Sequence, residues 1–195
     1  MITANYLHIA IEFDAIRNFL AKTLEAVDAE KAAVFARDES GEFTALDDFE
    51  NAIFFPMQQE EIAIRAVFHE VNALVEWELY SLASKAYNNA ARNGKTRKSL
   101  VYDLRFNEIC SLIKEYYEIE LGQMPSFTET KQVRETVNAF KHLKGFKDPR
   151  RHPDSKLLDK FLPTREDAYK AIDGARNFLR ALIKECNQHE NNQVA

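Results

Sequence analysis

Prolines and glycines divide this chain before any other property is considered. All five prolines (56, 125, 149, 153 and 163) and four of the five glycines (41, 94, 122 and 145) fall between apolar runs spaced three and four residues apart. Proline inside a helix removes a donor and collides with the preceding turn, and glycine carries a backbone entropy cost, so both mark the ends of elements. The runs between them predict helices. The first extends from about Ala4 to Arg37, with Asp28 as a candidate break, and a short piece from Leu46 to Phe55 stops at Pro56. The longest run, Gln58 to about Asn89, carries Ile64, Val67, Phe68, Val71, Leu74, Val75, Leu79 and Leu82 on a broad apolar face. Ser99 to Leu121 gives the next helix and residues 128–144 another; the stretch 146–163 is irregular, with one turn expected at Leu157 to Phe161. Thr164 caps a final helix reaching about Asn187, with Asp167 three residues on.

No strand-like alternation interrupts this pattern. The expected fold class is all-α: an antiparallel up-down bundle of four long helices with an additional N-terminal helical arm. A chain of 195 residues suits a single domain. It is read as an arm over 1–56, a core bundle over 57–187 and a frayed tail over 188–195. Cys110 and Cys186 sit inside helical runs without metal or redox spacing, which suits reduced core thiols in a cytoplasmic protein. No signal peptide and no apolar stretch of about 18 residues is present, so no membrane partner is expected.

The net charge of -5 is unevenly placed. Residues 131–160 hold nine Lys and Arg against four acids, and the loop from Arg92 to Lys98 holds four cations and no acid. These segments supply candidate phosphate-binding side chains: Lys141, Lys144, Lys147, Arg150 and Arg151 in the first, Arg92, Lys95, Arg97 and Lys98 in the second. They also read as solvated loops and helix ends, where cations gather without a ligand.

The helix at 128–144 carries the most specific signal. Ser126 or Thr128 suits its first amides, Gly145 its left-handed end, and Lys141, His142 and Lys144 the carbonyl end of its dipole. Val133, Val137 and Phe140 form a narrow apolar stripe, while Arg134, Asn138 and His142 recur every fourth residue as a second, polar one.

The run Asn138-Ala-Phe-Lys-His142, followed by a glycine turn on the penultimate long helix of an all-α chain, resembles the HEPN superfamily. That family consists of small helical bundles, many of them metal-independent ribonucleases, with an Arg, usually Asn next to it, and a His further along. Here Asn138 and His142 match. Val137 occupies the usual place of the Arg, and Arg134 lies one turn earlier. The resemblance implies an RNA-acting protein, with His142 as general acid or base for attack of a 2′-hydroxyl on the adjacent phosphate. Arg134 or Lys141 would offset the developing charge, and Asn138 would orient the phosphate or the imidazole. Such clefts commonly form at a two-fold dimer interface, which would set Arg134 of one copy beside His142 of the other. No metal and no cofactor is implied. RNA or a nucleotide, a second copy, and an antitoxin or other protein are the expected partners. A catalytically inactive bundle of this kind, or a purely structural oligomerisation bundle, accounts for the same residues.

Other short signals carry less. His152-Pro-Asp154 reproduces the J-domain tripeptide, but Pro149 interrupts the helix that should precede it. His69, Glu70, Glu76 and Glu78 share the longest helix without the Glu-x-x-His spacing of a di-iron site. His8 and Glu12, four apart, suit a surface pair. Glu78, set between Leu74 and Leu82, is the acid whose surroundings are least polar.

Overall fold

A computed structural model describes residues 6–92, 104–143, 145–147 and 162–194. Among the described residues there are five α-helices and no strand: α1 (Tyr6–Glu39), α2 (Leu46–Arg92), α3 (Phe106–Tyr117), α4 (Phe127–Leu143) and α5 (Arg165–Val194). A single 3-10 turn at Leu121–Gln123 joins α3 to α4. None of these helices is long and apolar enough to cross a membrane.

The longest helix, α2, touches the other four. Its Val67, Val71, Val75, Leu79 and Ala83 are buried in one core with Phe13 and Leu20 of α1, Ile109 and Ile113 of α3, Val133 and Val137 of α4, and Ile172, Phe178 and Leu182 of α5. Ridges of apolar side chains at three- and four-residue spacing interlock across these contacts, and this burial supplies most of the stability. Ile9, Phe13, Leu20 and Leu24 of α1 belong to the same cluster.

The structure corrects four expectations drawn from local signals. Pro56 does not stop a helix; α2 runs through it, and its ring is buried. A mid-helix proline costs about 3 kcal/mol. Pro56 lies on the same side as Phe49 and Glu60, which meet Phe35 and Lys31 of α1, and packing along that side offsets the cost. Nor does α1 break at Asp28, whose carboxylate instead accepts two hydrogen bonds from Arg165. Within the described residues α3 begins at Phe106 and ends at Tyr117, because Glu118 turns left-handed (φ 59°) and sends Ile119 and Leu121 into the core. Finally, α5 continues to Val194: His189 packs on the rings of Tyr116 and Tyr117, and Glu190 accepts a hydrogen bond of 3.2 Å from the Tyr117 hydroxyl. The turn expected at 157–161 lies outside the described residues.

Capping at the start of α5 follows its sequence. Asp167 accepts the Thr164 amide at 2.9 Å, and Thr164 Oγ1 accepts the Asp167 amide at 3.2 Å, a reciprocal capping box. Both cysteines are free, and burial pushes the Cys110 thiol up to about 11 and the Cys186 thiol up to about 12. Such thiols are poor nucleophiles.

An ionic node ties the start of α5 to the interiors of α1 and α2. Arg165 donates to Asp28 at 2.6 and 2.8 Å and to both carboxylate oxygens of Glu60, which also accepts from Lys31. The Arg165 hydrogen bond, opposed by burial, draws the Glu60 carboxyl from 4.5 down to about 2. Because the folded pKa is depressed, this stabilisation is present above pH 4.5 and is lost as the pH falls through about 2. Screening at this half-open site leaves about 1–2 kcal/mol for the Arg165–Glu60 pair. Arg165→Ala is therefore expected to lower neutral-pH stability by that amount and to flatten the acid limb of a urea-unfolding series. Equal acid slopes for both proteins would rule the node out as its origin.

Candidate nucleic-acid interface

The polar stripe of α4 is positioned by how the helix seats on α2. Thr130, Val133, Thr136, Val137 and Ala139 are buried, which fixes the rotation of α4 and leaves Lys141 and His142 exposed. Arg134 pairs with Glu76 of α2, and the charge of Lys141, two turns later, acts on His69 of α2.

The C-terminal end of α4 is shaped by Gly145. It holds φ +85° and donates its amide to the Ala139 carbonyl at 2.9 Å. The Phe140 ring stands 3.2 Å from where a Cβ would be at 145. Both the left-handed backbone and the ring call for a residue without a side chain. This cap ends α4 just past the exposed Lys141 and His142.

The structure separates the residues of the sequence motif. Arg134 donates to Glu76 and lies over the Phe106 ring, 4.3 Å from its centroid, so it faces α2 and α3. Asn138 is half-buried between the two ends of the stripe, and His142 is exposed. Lys147 is half-buried beside a groove of about 530 Å³ whose walls include Glu129, Glu135, Asp167 and Lys170. Arg92 is the last residue of α2. Lys95, Arg97, Lys98, Lys144, Arg150 and Arg151 lie outside the described residues, as does the His152-Pro-Asp154 tripeptide.

Two residues of α2 join this end of α4 that the motif did not indicate. His69 has its pKa lowered, first by burial and then by the charge of Lys141, with Arg65 adding to it and Glu70 opposing. Arg65 stands one turn from His69 and pairs loosely with Glu61 at 3.9 Å. Arg65 of α2 and Lys141 of α4 thus both act on His69. The spacing of Arg65 and His69, four apart on α2, was readable; that Lys141 of α4 would act on His69 was not.

Glu78 lies elsewhere, in a cavity of about 290 Å³ with His8, Trp77, Ser81 and Lys85. Burial raises its carboxyl, and Lys85 and His8 act in the opposite sense. His8 and Glu12 approach to 3.9 Å at the exposed surface. Among the described residues no group of three or more His, Cys, Asp or Glu is placed to hold a metal ion. Comparison with protein-family models, curated proteins and solved structures finds no match.

Proposed function

We propose that this chain is an HEPN-like antiparallel helical bundle that binds RNA at the C-terminal end of α4. The reading is carried by the exposed pair Lys141 and His142 at the C-terminal end of α4, where the charges of Lys141 and Arg65 both act on His69 of α2. A phosphodiester backbone is the ligand that such a solvent-open cationic end suits, since each neutralised phosphate releases condensed counterions. The sequence resemblance supplies RNA as the nucleic acid, because its matching residues, Asn138 and His142, lie at this end.

Cleavage by His142 is the second reading, favoured by its exposure and by Asn138 one turn before it. In that case His142 moves the proton of the attacking 2′-hydroxyl and Lys141 offsets the phosphate charge. Arg134 is the weaker choice for that role. To stand beside His142 of a partner subunit it would have to leave both Glu76 and Phe106.

Binding of a single-stranded RNA oligonucleotide, followed by fluorescence anisotropy at two salt concentrations, tests the first reading. The expected result is an affinity that falls steeply with salt, and a roughly three- to tenfold loss in Lys141→Ala with a shallower salt slope. Salt-independent or absent binding by the unaltered protein would overturn it. Products ending in 2′,3′-cyclic phosphate that disappear in His142→Ala would establish cleavage; intact RNA with binding retained would leave a binding bundle.

A further inference from the structure

The bundle core reaches Leu24 on α1 and begins at Ala63 on α2, and beyond these positions the two helices continue as a hairpin. Phe35, Phe43 and Phe49 pack on one another within it. The side of α2 bearing Phe49, Pro56, Glu60 and Val67 faces α1 and the core. Its other side carries Phe55, 67% exposed, and Ile62, 56% exposed, with Phe54, 56% exposed, against the Phe55 ring. Asn51, Phe55, Gln58, Ile62, Arg65 and His69 follow one another at alternating steps of four and three, the spacing of a coiled-coil seam. From Asn51 to Ile62 this seam has no charge in it.

We propose that this seam is a homodimer interface, in which α2 of a second copy crosses antiparallel about a two-fold axis beside Gln58 and Gln59. The seam is self-complementary under that operation. Phe55 meets Ile62 of the partner subunit at both ends of the contact. Asp48, in the acidic first turn of α2, then falls opposite the partner's His69. An isologous contact repeats each of these pairings twice.

The size of the patch fits. At about 200 Å² for a whole large side chain, Phe54, Phe55 and Ile62 expose roughly 350 Å² of apolar surface per copy. A standard interface buries about 800 Å² per partner, a little over half of it apolar. These three side chains thus supply most of the apolar share, with polar Asn51, Gln58 and Gln59 around them. An apolar stripe of this size is of the order of the largest patch on a typical monomer, and such patches are often functional.

The seam ends at Arg65 and His69, on which the RNA reading also draws, but its apolar part (Phe55, Gln58 and Ile62) lies off the Lys141–His142 end, and an assembly measurement without RNA separates the two. Analytical ultracentrifugation of the full chain across a concentration series tests it. The expected result is a dimer that Phe55→Glu and Ile62→Glu each convert to monomer at the same concentrations. Circular dichroism should be unchanged, because both side chains are more than half exposed. Gln58→Cys gives an independent check: beside the axis it should form a disulfide-linked dimer under mild oxidation, which the buried Cys186 and half-buried Cys110 of the unaltered chain should not. A monomer at every concentration, a dimer indifferent to both glutamates, or a Gln58→Cys protein that does not cross-link would overturn the proposal.

Discussion

Phe178→Ala is expected to lower the free energy of unfolding by about 4 kcal/mol, within the range of 3–5 for deletion of a buried ring. Phe178 is wholly buried near the middle of α5 and packs against the Phe127 ring at 5.8 Å between centroids. Phe127 is the first residue of α4, so this contact fixes where α4 meets α5. The site has little freedom to collapse. Gly174, one turn earlier on α5, already lies so close to α4 that a Cβ there would stand 3.0 Å from the Cβ of Glu129. A void at 178 therefore persists as lost transfer energy and lost dispersion contacts together. For a domain with a total stability of about 5–15 kcal/mol, that is a large fraction. Urea denaturation monitored by circular dichroism reads it directly. A cost below about 1 kcal/mol would mean that the α4–α5 contact is looser than described.

Arg134→Ala is expected to cost about 2 kcal/mol of stability while leaving RNA affinity unchanged. The guanidinium joins two helices to α4: it pairs with Glu76 of α2 and covers the Phe106 ring of α3. Removing it leaves a half-buried carboxylate without its cation and forfeits a cation–π contact of about 0.5–1 kcal/mol. Both partners keep some solvent contact, with side chains 28% and 30% exposed, so the full penalty of a buried broken pair does not apply. Glu76→Ala should cost less, since Arg134 is then free to reach water. The double variant should recover part of the sum, and that coupling is the signature of the pair. Anisotropy with RNA supplies the functional half of the comparison. If Arg134→Ala folded normally and lost as much RNA affinity as Lys141→Ala, Arg134 would belong to the phosphate site, and its role as a tie between helices would be the lesser one.

Arg134 and His142 illustrate how a motif read along one helix divides in three dimensions. Arg134, Asn138 and His142 recur at one spacing, and spacing alone makes them equivalent. What separates them is the partner at each level. Glu76 stands beside the first, and the end of the packed region leaves the last in water. Nothing within 128–144 encodes the position of Glu76. The J-domain tripeptide and the basic loop residues from Lys95 to Lys98 fall outside the described residues, and at the end of α4 the exposed candidates are Lys141 and His142.

The sequence by itself determined the class of fold and most of the internal punctuation. Periodic apolar runs specify helices because burial acts on one side of a cylinder, and Gly145 and the Thr164–Asp167 box mark ends because their chemistry is satisfied within a few residues. Only the tertiary structure decided what depends on energy gathered from distant parts of the chain. Pro56 was overridden by packing on α1, and the C-terminal residues to Val194 were held in α5 by contacts with Tyr116 and Tyr117. The partner of Arg134, Glu76, came from a helix 58 residues earlier. A local preference of about 3 kcal/mol or less yields whenever more than that is buried across helices, and where that happens no window of sequence records it.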